Sequence, residues 1–166
     1  MASSSNPYAA NLGGAAPEKV MAETPQRLTE LAERLEPKGW NKSYAPGKWT
    51  ARQILCHLAD TEIAFAFRLR QALAEPSLLI QPFDQDLWAE AYAKEPYDAQ
   101  TALQVFSSVR RWNLDLLRTV PAEARSRRVR HPERGEMTFQ TLVDTIGGHD
   151  VNHLRQLDSI ATALAS

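Results

Sequence analysis

The sequence predicts an all-α protein built as a four-helix bundle. Three observations carry that prediction. Apolar residues recur at three- and four-residue spacing in four segments, helix start and stop signals bracket those segments, and no set of alternating strands or 20–50-residue repeat competes with them. At 166 residues, with 43% hydrophobic and 23% charged, the chain has the length and composition of one folded domain.

Residues 1–16 are rich in Ser, Ala, Asn and Gly and lack either period, so they read as an N-terminal arm, with residues 17–166 forming the bundle domain. Thr24-Pro25 pairs a cap-capable residue with a proline at the first helical position. Leu28, Leu31, Ala32 and Leu35 then form a stripe up to Glu36-Pro37, which predicts the first helix. A connection with Gly39, Pro46 and Gly47 leads to Thr50 and Gln53, spaced as a capping box. Ile54, Leu58, Thr61, Phe65 and Leu69 follow as the stripe of a second helix that stops at Glu75-Pro76.

From Pro76 to Pro96 the chain has three prolines and one short amphipathic piece, Asp84 to Ala93, a long connection that permits a crossover. Asp98 is read as the N-cap of a third helix whose stripe includes Leu103, Phe106, Val109/Arg110, Asn113, Leu116/Leu117 and Val120. Residues 121 to 137 read as a basic, polar loop. Thr138 then opens a fourth helix with Phe139, Leu142, Val143, Ile146, His149, His153, Leu157 and Ile160 on its inner side.

Composition excludes several function classes. Nineteen Lys+Arg against twenty Asp+Glu give a formal charge of -1, so no broad positive field favours nucleic acid. No apolar run approaches the ~20 residues of a membrane span. The start, Met1 to Pro7, lacks the basic and apolar regions of a signal peptide, and Cys56 is the single cysteine, so a reducing cytoplasm is the expected setting. Gly-rich phosphate loops, Gly-x-Ser-x-Gly elbows and His-Glu-x-x-His are all absent. A di-iron carboxylate bundle would need two Glu-x-x-His pairs, and Asp150-x-x-His153 is a single imperfect match.

His149 and His153 stand four apart on the apolar stripe of the fourth helix, so both rings point inward and can converge on one ion. His57, at the edge of the second helix's stripe, can supply a third imidazole. Three neutral imidazoles would leave coordination positions open, as a catalytic metal requires; three unrelated buried histidines are the alternative. Asp60 and Asp150 are candidates for orienting a ligand ring and assisting proton transfer, with helix-surface carboxylates as the alternative. Asp84, Asp86, Trp88 and Tyr92 in the crossover are candidates for a substrate pocket's wall, with helix-staple packing as the equal alternative for the two aromatics. His131 is either a solvated loop residue or a substrate contact at the bundle mouth. Arg125 to Arg134 form a basic run that could steer an anionic thiol or substrate toward the mouth, with a solvated loop as the default reading.

The strings Gly47-Lys48-Trp49-Thr50-Ala51-Arg52-Gln53-Ile54 with His57-Leu58-Ala59-Asp60, Gln81 to Glu90, His131 to Thr138, and the His149/His153 pair resemble, in order and spacing, the DinB superfamily and its YfiT-like metal-dependent hydrolases. The resemblance spans residues 24 to 160. It implies an up-down-down-up bundle, often a homodimer, with a divalent metal, zinc or nickel, held by His57, His149 and His153. Some relatives carry a further His where this chain has Asn152. The superfamily includes thiol S-transferases that use bacillithiol or mycothiol, so the resemblance implies hydrolysis or thiol transfer on a small-molecule substrate, with a low-molecular-weight thiol as a further cofactor. A non-enzymatic metal-binding or stress-response protein is the alternative from another class.

Overall fold

The computed structural model describes residues 6–75, 78–94 and 97–165, so the first five residues of the arm and of the signal-peptide reading, with Pro76 and Pro96, lie outside it. Five helices are present among these residues: α1 (Pro17–Leu35), α2 (Ala51–Ala74), α3 (Gln85–Lys94), α4 (Ala99–Thr119) and α5 (Phe139–Ala165). The four long ones form the bundle, and α3 lies in the crossover between α2 and α4.

Helix α1 packs between α5 and α4, and α2 packs on the same two helices, so sequence neighbours face each other across the diagonal. Helix α2 runs parallel to α4, since Glu62 meets Arg110 and, two turns on, Arg70 meets Asn113. Helix α1 runs parallel to α5: Pro17 lies against Gly147, and Arg34 pairs with Asp158. The topology is therefore up-down-down-up, and the long connection between α2 and α4 is what allows those two to be parallel neighbours.

Both anticipated caps form. Thr50 Oγ1 accepts from the Gln53 amide while Gln53 Oε1 accepts from the Thr50 amide. Asp98 accepts from the amides of Gln100 and Thr101. The start of α1 differs from the sequence expectation. The helix begins at Pro17, and Pro25 sits in its interior. An interior proline normally leaves the carbonyl four residues earlier without its donor, at a cost of about 3 kcal/mol. Here that carbonyl is Met21 O, and it accepts from Arg110 Nη1 at 3.0 Å. The helix can thus run on through the proline and bury Met21 and Thr24.

The basic segment expected to be a loop is a β-hairpin, β1 (Arg128–His131) and β2 (Gly135–Thr138), with Val129 opposite Met137. Its four-residue alternation turns Val129 and His131 inward and leaves Arg128 and Arg130 exposed. Ile80 N–H donates to Arg130 O and Arg130 N–H to Leu78 O, so the crossover pairs with the hairpin.

Two apolar clusters fill the bundle. One gathers around Leu28, Leu35, Ile54, Leu58, Phe106 and Leu157, the other around Met21, Phe65, Leu69, Leu117, Phe139 and Leu142. Between them lies a buried polar layer that contains His57, Glu62, Arg110, Asn113, His149, Asp150 and His153.

Candidate metal centre

The two halves of the centre come from antiparallel neighbours, α2 and α5. The capping box fixes the start of α2 two turns before His57. On α5, glycines at 147 and 148 let the chain come close on the opposite side. A Cβ at Gly148 would stand 2.4 Å from Tyr8 O, so only glycine lets the arm lie against this helix. Tyr8 then places its ring edge-on against His149, with centroids 5.2 Å apart. Trp49, just before the α2 cap, covers the other side and stacks within 10° of parallel on His153.

The Nε2 atoms of His57 and His153 lie 2.9 and 3.1 Å from the same atom, His149 Nε2. A neutral imidazole offers one N–H or one lone pair at that nitrogen, so it cannot serve both neighbours with well-formed hydrogen bonds. One cation receiving a lone pair from each ring satisfies all three. Nitrogens around a tetrahedral Zn stand about 3.3 Å apart, given Zn–N bonds of about 2.05 Å, so a small adjustment admits an ion. No fourth His, Cys, Asp or Glu joins the cluster among the described residues.

The environment keeps the rings in the ligating form. Burial pushes His57 down to about 3 and His153 down to about 4, and it holds His149 well below the usual imidazole range, with neighbouring rings and Arg110 adding to the effect. His153 Nδ1–H donates to Gln156 Oε1 at 2.7 Å, which leaves its Nε2 lone pair free. Gln156 escaped the sequence reading, although a polar residue three positions after a candidate ligand was the available signal.

Two clefts reach the centre. One, about 610 Å³, is lined by His153, Trp49, Tyr44, Lys48, Asp86 and Asn152. The other, about 240 Å³, is lined by His57, His149, His131, Phe83, Arg68 and Arg134. Tyr8 and Gln85 border both. The sequence assigned no chemistry to Tyr8; the Gly147-Gly148 pair, which marks a close approach on α5, was the hint.

The remaining expected site residues divide. Asp86 lines the larger cleft and His131, buried on the hairpin, lines the smaller. The others lie elsewhere. Asp60 accepts from Tyr92 OH, and the two line a separate groove with Cys56 and Tyr97, because position 60 points toward α3 and α4. Asp150 faces away from its neighbour His149 and binds Arg110, so it orients no imidazole. Asp84 caps α3 by accepting from the amides of Asp86 and Leu87. Trp88 packs on Phe83 at the outer surface.

Arg110, fully buried on α4, ties the four bundle helices together. It donates to both Glu62 oxygens at 2.9 and 2.7 Å, to Asp150 and to Met21 O. Burial works against its charge, but Asp150 and Glu62 more than offset that and raise its pKa.

A sequence profile described as the DinB superfamily matches residues 21–157. The chain belongs to the DinB superfamily. Among its relatives, a protein of Oceanobacillus iheyensis is 30% identical over 139 residues, 83% of this chain and 80% of that one. One of Bacillus cereus strain B4264 is 28% identical over 143 residues, 86% of this chain and 82% of that one. Both carry the name "putative metal-dependent hydrolase". The solved structure of YfiT from Bacillus subtilis, described as a probable metal-dependent hydrolase with an unusual four-helix bundle topology, superimposes with a TM-score of 0.83 at 23% identity, covering 90% of this chain and 86% of that one. The DinB-type bundle thus accounts for the parallel α2 and α4.

Proposed function

We propose that this DinB-superfamily chain is a metal-dependent enzyme acting on a small molecule, with His57, His149 and His153 holding one divalent cation. The observation that carries the proposal is the convergence of three neutral Nε2 atoms where two clefts meet. A structural site would be closed by a fourth protein ligand, and a three-nitrogen set leaves room for a guest. That favours an enzyme over a protein in which an ion merely ties α2 to α5.

A cation held there supplies Lewis acidity to an acyl carbonyl, or acidifies a water or thiol nucleophile. The protein supplies the rest. Burial keeps the Tyr8 hydroxyl protonated, so at the junction of the clefts it is a hydrogen-bond donor for a leaving group. His131 accepts from the Glu133 amide at Nδ1, which places its own proton on Nε2 as a hydrogen-bond donor for substrate in the smaller cleft. Trp49 and Phe83 give each of the two clefts an apolar wall. Among the described residues no carboxylate joins the three ring nitrogens, which suits thiol transfer, because a thiol acidified by such a cation would need no protein base. Hydrolysis is the second reading and is favoured by the names of the relatives.

Zinc or nickel as the ion, a low-molecular-weight thiol as co-substrate, a homodimer and a cytoplasmic setting belong to the same proposal and rest on the family resemblance. No described helix is long and apolar enough to cross a membrane. The test is a turnover screen of metal-loaded protein with a panel of thiols against a haloalkane, beside a panel of esters and amides. Metal-dependent turnover in either panel supports the reading, and the panel that responds names the reaction. Inactivity in both, with the metal bound, favours the non-enzymatic alternative.

A further inference from the structure

The smaller cleft has a feature that metal binding does not use. Arg68 from α2 and Arg134 from the hairpin turn both line it, beside His57 and His149, and neither guanidinium forms an ion pair with a described carboxylate. Arg68 is held in place: Nη2 donates to Gln81 O at 2.8 Å, and its guanidinium lies 5.2 and 5.4 Å from the ring centres of Phe65 and Phe83. Arg134 stands in the exposed turn between β1 and β2 and makes no described hydrogen bond. Glu133 is the acidic residue on the cleft wall, against two arginines.

We propose that this cleft is an oxyanion subsite, in which Arg68 and Arg134, with His131 beside them, hold a carboxylate or phosphate group of the substrate while its reacting end lies at the three histidines. The inference rests on the three-histidine centre being the reacting site and adds the substrate's class: a small anion. Planar guanidinium forks match either group, and the Phe65 and Phe83 rings beside Arg68 hold its fork in place. The two positive charges act on the same space, because Arg134 and Arg68 join burial in holding His131 below the usual imidazole range, with Glu133 opposing them.

The test is calorimetric titration of the full chain, before and after metal loading, with succinate, with inorganic phosphate and with neutral succinamide. The wild type should bind an anion at one site and bind succinamide much more weakly, with affinity falling as salt rises. The better of the two anions identifies the group. Arg134→Gln should weaken that binding at least ~10-fold while keeping the metal content and the unfolding midpoint of the wild type. Arg68→Gln should do the same, but it also releases Gln81 O, so Arg134→Gln is the deciding variant. Equal affinity in wild type and Arg134→Gln, or no anion binding by the wild type, overturns the subsite. Elemental analysis of the same samples separates the two readings: metal without anion binding sinks the subsite alone, and anion binding without metal sinks the metal centre alone.

Discussion

Arg110 donates to the Met21 carbonyl, the group that Pro25 leaves without a helical partner. One side chain of α4 thereby lets α1 continue through a proline while it also binds Glu62 of α2 and Asp150 of α5. The layer that carries the histidines is held in register by this buried guanidinium. Because Asp150 adjoins His149 in sequence, the network fixes the rotation of α5 that turns His149 toward α2.

Replacing Arg110 with leucine should therefore be severe. Two buried carboxylates would face each other without a counter-charge, a loss of about 3–5 kcal/mol. Urea unfolding at pH 7 measures it. Burial already raises the Asp150 pKa, so part of the loss should return as the solution is acidified and Asp150 protonates. A loss below about 1 kcal/mol would contradict the role given to Arg110.

Gly148→Ala should dislodge the N-terminal arm. Alanine gains about 1 kcal/mol of helix propensity, but its Cβ would meet Tyr8 backbone oxygen at 2.4 Å, and overpacking costs about 1–3 kcal/mol. The expected result is a lower unfolding midpoint and faster proteolysis before Pro17. A gain of about 1 kcal/mol would mean the arm does not pack there.

The metal-free protein should lose stability as the solution is acidified from neutrality. The folded-state pKa values of His57 and His153, about 3 and about 4, lie below the unfolded value near 6.5. The unfolded chain thus binds more protons in that window, and stability present above pH 6.5 falls toward pH 4, by at most about 1.4 kcal/mol per pH unit per histidine. Unfolding midpoints between pH 7 and pH 4 check this. A flat profile would mean that the rings are solvated.

Much of this was legible in the chain. The i, i+4 histidines on an apolar stripe and the inward edge position of His57 are local facts, as are the caps at Thr50 and Asp98. Arg110 and Asn113 lay on the stripe of α4, and polar residues among core positions are the mark of a buried network. What escaped depends on distant partners. Pro25 looked like a helix start because the donor that relieves Met21 comes from 89 positions further along. The hairpin has too few alternating residues to stand out, and it is secured by pairing with Leu78–Ile80. Tyr8 reaches His149 only because Gly148 leaves room.

The most direct test is the metal content of purified protein by elemental analysis, for the wild type and for His57→Ala and His153→Ala. Three converging imidazoles predict one divalent ion per wild-type chain and a near-complete loss in each variant, with helical circular dichroism largely preserved. Undiminished metal in either variant, or a wild type that takes up none when loaded, would contradict the centre.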